Sequence, residues 1–288
     1  MRPAVFLSAA FLATLAAAPA IANGPYLEPM TFGSNRDYVT ILAAHGAEVA
    51  FLPMGPIRTL GDFFATSPDG VTSNIGAGQA FKGLSVVEPA LAQDGTWRIS
   101  TGERKGRVGR SVLIDGVWRP IRTPQQSQAP ARPAGPPPAA DNRPQPIDEK
   151  DVPAGAEIAE SINYLRADTY VTRGAPSPGA LKPTGQGFEL APHTNPNEVF
   201  AGDPFAFGFL DDGKGVAGVE FNIRRAGDVY TDTMYALRGK TDATGAATVS
   251  IPGPGRYILE ASYPGNAPPG QKPNPKSTSY SLTFEVTK

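Results

Sequence analysis

Residues able to carry out covalent or metal chemistry are few in this chain. Cysteine is absent, and the only histidines among the 288 residues are His45 and His193. The composition therefore excludes, within the chain, disulfides, zinc fingers, iron–sulfur clusters, cysteine nucleophiles and a three-histidine zinc site. His45 stands in Ala44-His-Gly, at the predicted end of a strand, and His193 in Ala191-Pro-His-Thr-Asn-Pro196, a predicted loop. Both contexts favour a polar turn residue over a metal ligand.

The sequence also contains no complete motif for the common kinds of catalysis or cofactor binding. Gly76-Ala-Gly78 lacks the third glycine of a dinucleotide fingerprint, and no serine stands in a Gly-x-Ser-x-Gly elbow. Asp211-Asp-Gly-Lys-Gly215 lacks the acid spacing of an EF-hand, so a turn is favoured over a calcium loop. A carboxylate pair with glycosidase chemistry stays open, because spacing alone cannot locate one. We therefore predict a protein that is not an enzyme and rank a carboxylate hydrolase last.

The first 22 residues have the pattern of a secretory signal peptide. Arg2 supplies a positive charge, an apolar run extends from Val5 to Ala18, and Ala20-Ile-Ala22 fits a signal-peptidase site. The run is shorter than the roughly 20 apolar residues that a spanning helix needs, and no later stretch approaches that length. The sequence predicts cleavage after Ala22, a periplasmic location and no stable membrane insertion.

The overall composition indicates short strands rather than helices. The 32 glycines and 31 prolines disfavour long helices, because both residues are poor in helix interiors. Lysine and arginine number 26 against 27 acidic residues, which argues against nucleic acid as a partner. We predict an all-β protein.

The chain divides into two predicted β-sandwich-like modules. Residues 23–123 show alternating runs, including a hairpin around Asp115-Gly116, with Trp97 and Trp118 as expected core aromatics. Residues 124–155 are a proline-rich linker, of which residues 124–150 are expected to be mobile. Residues 156–186 form a connecting strand segment that either returns to pair with the first module or leads into the second. Residues 187–288 contain seven strand-like runs separated by turn residues, which predicts an immunoglobulin-like β-sandwich.

The order of motifs resembles a known family. Pro25-Tyr-Leu-Glu-Pro-Met-Thr-Phe32, Phe188-Glu-Leu-Ala-Pro-His-Thr-Asn-Pro196 and Pro254-Gly-Arg-Tyr-Ile-Leu-Glu-Ala261 are similar to segments of domain-of-unknown-function family 4198. Its members are often labelled as periplasmic components of nickel or cobalt uptake systems. The resemblance implies a binding or accessory protein for metal-ion uptake, with a metal permease or an outer-membrane receptor as partner. A structural or protein-interaction module beside an outer-membrane receptor is the alternative.

The resemblance also indicates where metal-binding histidines would be expected. Such proteins place one histidine near the mature N-terminus and another at the end of the Gly-x-Tyr/Trp strand, where this chain has Asn23 and Tyr263. His45, His193 and Glu28 remain as candidate ligands for nickel or cobalt. Because two imidazoles are a poor basis for a selective site, we expect weak binding at most.

Overall fold

The computed structural model describes residues 24–46, 50–76, 78–123, 144–227, 230 and 236–288. Within these ranges the chain is built from strands, without an α-helix, and the predicted all-β class is confirmed. Three short 3-10 helices occur among the described residues, at Leu60–Asp62, Glu149–Asp151 and Gly179–Leu181. The predicted signal peptide and residues 124–143 of the predicted linker lie outside the described residues.

The N-terminal half forms a sandwich around an aliphatic core. Its strands are β1 (Pro25–Pro29), β2 (Gly33–Ser34), β3 (Ile41–Gly46), β4 (Pro53–Pro56), β5 (Phe64–Thr66), β6 (Thr72–Asn74), β7 (Gly78–Ala80), β8 (Ser85–Val87), β9 (Gly95–Ser100), β10 (Arg104–Ile114), β11 (Val117–Arg122), β12 (Ile147–Asp148) and β13 (Ile158–Arg173). One sheet has the order β1-β3-β8-β7, with β4 also on β3. It packs against β5, β9 and β13 around Leu27, Ile41, Phe63, Trp97 and Val171.

The predicted hairpin is confirmed. Strands β10 and β11 pair antiparallel, with Ile114 opposite Val117. The turn residues Asp115 and Gly116 both have positive φ, at 52° and 77°, as a type I′ turn requires. Trp118, on β11, is buried as expected.

The C-terminal half has immunoglobulin-like topology. Its strands are β14 (Phe188–Pro192), β15 (Val199–Phe200), β16 (Pro204–Asp211), β17 (Lys214–Gly215), β18 (Glu220–Arg225), β19 (Ala236–Lys240), β20 (Ala246–Ser250), β21 (Gly255–Tyr263) and β22 (Lys276–Thr287). One sheet contains β14, β16, β17 and β20, and the facing sheet runs β22-β21-β18-β19. The first strand is split: β14 pairs with β16, whereas β15 crosses to pair parallel with β22.

Aromatic residues fill the space between these two sheets. Beside aliphatic residues such as Leu190, Ile223 and Leu259, the core contains nine aromatic residues: Tyr170, Phe188, Phe205, Phe207, Phe209, Phe221, Tyr257, Tyr280 and Phe284. Tyr257, near the start of β21, donates its hydroxyl to the Gly253 carbonyl oxygen at 2.8 Å. This contact is the tyrosine corner of immunoglobulin-like domains. The arrangement of the two sheets and the tyrosine corner together confirm the predicted immunoglobulin-like fold of the C-terminal half.

Strand β13 belongs to both halves. Along one edge it pairs antiparallel with β10 and then with β9. Along the other edge residues 162–169 pair parallel with residues 276–283 of β22. The segment predicted to join one module or the other therefore joins both, in a sheet of 13 strands within the described residues. Tyr170 faces the aromatic core, while Ala167 and Val171 face the aliphatic core.

The described part of the proline-rich segment is ordered into short elements. Strand β12 pairs parallel with β11, Ile147 lying opposite Ile121, and the 3-10 helix at Glu149–Asp151 follows. Arg110 on β10 forms an ion pair with Glu149 at 2.5 Å. Residues 144–155 thus lie against the β10–β11 hairpin.

Candidate functional site

Two of the three candidate metal ligands lie on neighbouring strands but on opposite faces. In the β1–β3 pair, Pro25 lies opposite His45, and Glu28 lies opposite Leu42. Because successive side chains alternate between faces, the register separates the His45 imidazole from the Glu28 carboxylate. Glu28 instead forms an ion pair with Arg256 of β21 at 3.0 Å.

His45 is partly buried, and its pKa is lowered. Burial is the larger cause, and the positive charge of Arg104 adds to it. A neutral imidazole could act as a metal ligand, but the nearby guanidinium disfavours a bound cation.

His193 is exposed directly after β14 and lines an open cleft of about 240 Å³. The other residues lining the cleft are Pro176, Ser177, Pro178, Leu181, Asn195 and Glu198. Across the described ranges, no three His, Asp or Glu side chains lie close enough together to hold a metal ion. The structure thus brings His193 near Glu198 but does not join it to His45 and Glu28, so the metal site stays a prediction.

A buried charge cluster lies behind this cleft, on the side of β13 that faces the aromatic core. Arg166 contacts two carboxylates, Asp168 at 3.2 Å and Glu189 at 3.3 Å. All three residues are less than 5% exposed. Burying an ion pair is costly unless further hydrogen bonds satisfy its oxygens.

Those further hydrogen bonds are present. Asp168 accepts hydrogen bonds from Ser100 at 2.5 Å and from the Tyr280 hydroxyl at 3.0 Å. Glu189 accepts from the Thr184 hydroxyl at 2.8 Å and from two backbone N–H groups, those of Thr184 and Gly185. Both carboxylates are therefore fully engaged in binding β9, β13, β14 and β22 together.

The same face continues toward the cleft as a row of neutral polar side chains. Thr96 and Thr172 lie opposite each other, with their hydroxyl oxygens 3.0 Å apart. Asn195, a cleft residue, donates to Thr96 at 3.1 Å, and Asn197 donates to Thr172 at 2.8 Å. Arg98 and Tyr170, the next opposed pair, lie between this row and the charge cluster.

Sequence reasoning missed this cluster. Thr96-Trp-Arg-Ile-Ser-Thr and Tyr164-Leu-Arg-Ala-Asp-Thr-Tyr alternate polar and apolar residues, which predicts strands. The available signal was charge within strands: Arg98, Arg166 and Asp168 lie at alternate positions of otherwise strand-like runs. Arg166 and Asp168 are buried because the two cores cover the two faces of β13. Arg98 is buried on the neighbouring strand β9, opposite Tyr170.

Three exposed apolar side chains of the N-terminal sandwich are considered together as an apolar patch, because the segments that carry two of them pack near Tyr26. We define it as Leu52, Met54 and Phe81, which are 49%, 55% and 53% exposed. Phe51 and Leu84 pack on Tyr26 beneath it. Leu52 follows Phe51 in the chain, and Phe81 and Leu84 share one turn, closed by an N–H···O bond. The patch therefore surrounds a single small cluster.

Phe51 has an uncommon backbone conformation that shapes the patch. Its φ is 61°, a left-handed value that bulky residues rarely adopt. The Tyr26 hydroxyl donates to the Phe51 carbonyl oxygen at 3.3 Å, and the two rings meet edge to face at 5.5 Å. These two contacts with Tyr26 fix the position of Phe51, while Leu52 stays exposed to solvent.

The fold and these sites define the class: an all-β protein of two sandwiches that share a strand, the second of them immunoglobulin-like. The chain belongs to the family described as a domain of unknown function, DUF4198, whose sequence profile matches residues 20–265. No curated protein matches the chain. None of the helices in the described residues is long and apolar enough to cross a membrane.

Comparison with solved structures gives distant similarities. The D0-D1 domain of intimin is 12% identical, with a TM-score of 0.22, and covers 91% of this chain and 97% of its own. The D00-D0 domain of intimin is 11% identical, with a TM-score of 0.21, and the match covers 92% of this chain and 100% of the intimin chain. Trypsin-activated alpha-2-macroglobulin from Escherichia coli is 14% identical, with a TM-score of 0.21. The match covers 95% of this chain and 24% of the macroglobulin chain. Scores this low carry no weight for function.

Proposed function

We propose that the protein is an exported, non-catalytic interaction module that works beside a partner protein such as an outer-membrane receptor. The apolar patch of Leu52, Met54 and Phe81 carries this proposal. Exposed clusters of large apolar side chains are costly in water, and on soluble proteins they mark interaction sites. The export signal at residues 1–22 supports a periplasmic location, and the mature protein should begin at Asn23.

The local backbone favours contact through side chains rather than strand addition. Met54 lies on β4, which pairs with β3 along one edge. Pro53 and Pro56 lack the N–H groups that a partner strand would need along the other edge. The partner should therefore present an apolar surface to the patch.

The surroundings of the patch indicate the partner's charge. Lys82 follows Phe81 in the chain, and Arg58 follows shortly after β4. Both side chains are exposed. Opposite charges at the rim of an interface steer association and select partners. We therefore expect an apolar partner surface with an acidic rim.

Site-specific photocrosslinking in the exporting cell tests the proposal. A photoreactive phenylalanine analogue at position 81 or 52 should give one defined adduct. The same analogue at Val71, which is 62% exposed on the same sandwich, is the matched control and should give none. Lys82→Glu with Arg58→Glu should weaken the adduct. Equal adducts from position 71, or none from positions 52 and 81, would contradict the proposal.

A metal-uptake role is the second candidate, favoured by His193 and Glu198 lining one cleft. Two ligands are fewer than tight transition-metal sites use, so we expect weak nickel or cobalt binding. Calorimetry should show that the His45→Ala, His193→Ala double variant loses whatever affinity the wild type has. Submicromolar, stoichiometric nickel binding by the mature wild-type protein would instead make metal capture the primary function.

A further inference from the structure

We propose that the outer edge of β20 is a self-association surface, on which β20 of a second copy of this chain pairs antiparallel about a two-fold axis. The edge belongs to the C-terminal sandwich, whereas the apolar patch belongs to the N-terminal one. The inference therefore goes beyond the proposed interaction function and does not depend on it.

Strand β20 lies at an open edge of its sheet. Within the ranges that the structure describes, it pairs with β16 on one side and with no second strand on the other. Thr248 and Ser250 on β20 are both exposed. An open edge presents a row of N–H and C=O groups that a further strand can use.

The sequence of β20 lacks the features that block pairing at other edges of the molecule. Ala246-Ala-Thr-Val-Ser250 contains no charged residue and no proline, and its register with β16 is regular. By contrast, β4 contains two prolines, and β19, at the edge of the facing sheet, carries Arg238 and Lys240. Prolines and charges are common protection against strand addition. The edge of β20 is unprotected in this sense.

The hydrogen bonds of β16 indicate which of its backbone groups face β20. The Ala206 N–H donates to the Thr194 hydroxyl at 3.0 Å, and the Ala206 carbonyl oxygen accepts from the Thr194 N–H at 2.9 Å. The backbone of Ala206 is thus directed to the side of β14. Because backbone groups alternate between the two edges of a strand, Phe205 and Phe207 direct theirs to β20.

The same alternation identifies the outward groups of β20. Phe205 and Phe207 lie opposite Val249 and Ala247, so these two residues of β20 form the hydrogen bonds with β16. The residues between and after them, Thr248 and Ser250, therefore direct their N–H and C=O groups to the open edge.

Both ends of this edge are already closed. Ala246, the preceding outward residue, donates its N–H to Asp242 Oδ1 at 3.0 Å and accepts from the Asp242 N–H at 2.8 Å. Pro252, the next outward residue after Ser250, has no N–H. The edge thus offers Thr248 and Ser250, each with one donor and one acceptor.

A second β20 fits this edge in one antiparallel register. When the two copies of Val249 lie opposite each other, Thr248 of each copy lies opposite Ser250 of the other. These opposed residues exchange N–H···O bonds, so every outward donor and acceptor of both residues is paired in both copies. The same register places Ala246, whose backbone groups are occupied, opposite Pro252, which lacks an N–H. This match of the closed ends selects a second copy over a foreign strand.

The resulting dimer is isologous, since the same edge is used on both copies. It joins the sheets that contain β14, β16 and β20 into one continuous sheet across the two-fold axis. Because only two residues of each copy exchange hydrogen bonds, the contact resembles small, transient interfaces. We therefore expect a weak dimer that depends on protein concentration.

Sedimentation velocity of the full mature chain, from low to high micromolar concentration, tests the proposal. The wild type should shift from monomer to dimer as the concentration rises. Thr248→Pro removes an outward N–H without removing a bond to β16, and proline is tolerated at such edge positions. It should weaken dimerisation by about tenfold or more, since the loss occurs in both copies. A monomer at every concentration, or a dimer unaffected by Thr248→Pro, would overturn the proposal.

Thr72→Pro is the matched control. Thr72 is an exposed residue of β6, which pairs with β5 alone among the described strands. The Ser67 N–H donates to the Val71 carbonyl oxygen at 2.9 Å, so Thr72, one residue further, directs its backbone away from β5. The control variant should dimerise as the wild type does. Dimerisation weakened equally by Thr72→Pro would contradict pairing through β20.

Introduced cysteines test the register and do not require a proline in β20. The chain has no cysteine, so Thr248→Cys and Ser250→Cys proteins can be mixed and oxidised mildly. Opposed residues in this register have Cα atoms about 5.5 Å apart, which a disulfide spans. Two copies of the same variant place their cysteines diagonally, at about 7–8 Å. The mixed 248–250 disulfide should therefore exceed both homodimers, and a statistical mixture of the three products would overturn the register.

Crosslinking in the exporting cell distinguishes the remaining occupant. A photoreactive phenylalanine analogue at position 248 should give an adduct of twice the chain mass. An adduct with another protein, without the dimer, would assign the edge of β20 to a foreign strand and overturn self-pairing.

Discussion

At the scale of single residues, the two histidines differ in what surrounds them. His45 is partly buried near Arg104, and its pKa is lowered by burial first and by that charge second. His193 is exposed at the mouth of the cleft. The chain thus provides one partly buried histidine whose protonation opposes folding, and one exposed histidine that can serve as a control.

This difference predicts a pH dependence of stability. Because the folded-state pKa of His45 is below the ordinary value, the unfolded chain binds the proton more readily. Stability from this group is complete above about pH 6.5 and is lost as the pH falls below that value. The Tm of the wild type should therefore drop between pH 7.5 and pH 5, and His45→Gln should flatten that drop.

His193→Gln is the control for this measurement, and its Tm profile should follow the wild type. Thermal unfolding followed by circular dichroism at a series of pH values gives the comparison. A His45→Gln profile as steep as that of the wild type would show that His45 does not titrate against folding.

At the scale of elements, strand positions in the C-terminal half follow from the sequence. Six of the seven predicted runs correspond to the strands β14, β16, β18, β20, β21 and β22, because turn residues separate them. The described residues of the seventh run, 236 and 237, begin β19. The β10–β11 hairpin is equally local, since Asp115-Gly116 specifies its turn. The strands β15 and β17, two residues each, are too short for any periodicity to indicate.

The pairing of β13 could not be predicted in the same way. Its partners are β2, β9, β10 and β22, and a parallel pair such as β13–β22 depends on contacts distant in the chain. The burial of Arg98 and Arg166 follows from that pairing. The candidate site was therefore hidden from sequence reasoning, apart from His193.

The tyrosine corner gives a prediction for one element. Tyr257→Phe keeps the ring in the core but removes the hydroxyl that donates to Gly253. The loss should destabilise the protein by about 1 kcal/mol, the usual net value of one hydrogen bond. Urea unfolding measures the change, as a lower midpoint with an unchanged slope.

The control for this variant is Tyr263→Phe at the other end of β21. Its ring is partly buried and stacks on Phe188, with centroids 5.5 Å apart. The change should alter stability less than Tyr257→Phe does. An equal or larger loss in Tyr263→Phe would contradict the importance assigned to the corner.

At the scale of the whole molecule, strand β13 makes the two sandwiches parts of one sheet. Its residues contribute to both cores, and the buried ion cluster joins strands from both halves. Unfolding either half exposes one face of β13 and leaves Arg166 or its carboxylates without partners. Each of these costs several kcal/mol. The molecule should therefore unfold as one unit, although the proline-rich segment interrupts the N-terminal half between β11 and β13.

Equilibrium unfolding with two probes tests this claim most directly. Both tryptophans, Trp97 on β9 and Trp118 on β11, lie in the N-terminal half, so their fluorescence reports that half alone. Far-ultraviolet circular dichroism reports the strands of both halves. We predict a single urea transition with the same midpoint by the two probes. A tryptophan transition separate from the dichroism transition, or a biphasic dichroism curve, would show that the halves fold independently and that β13 does not unite them.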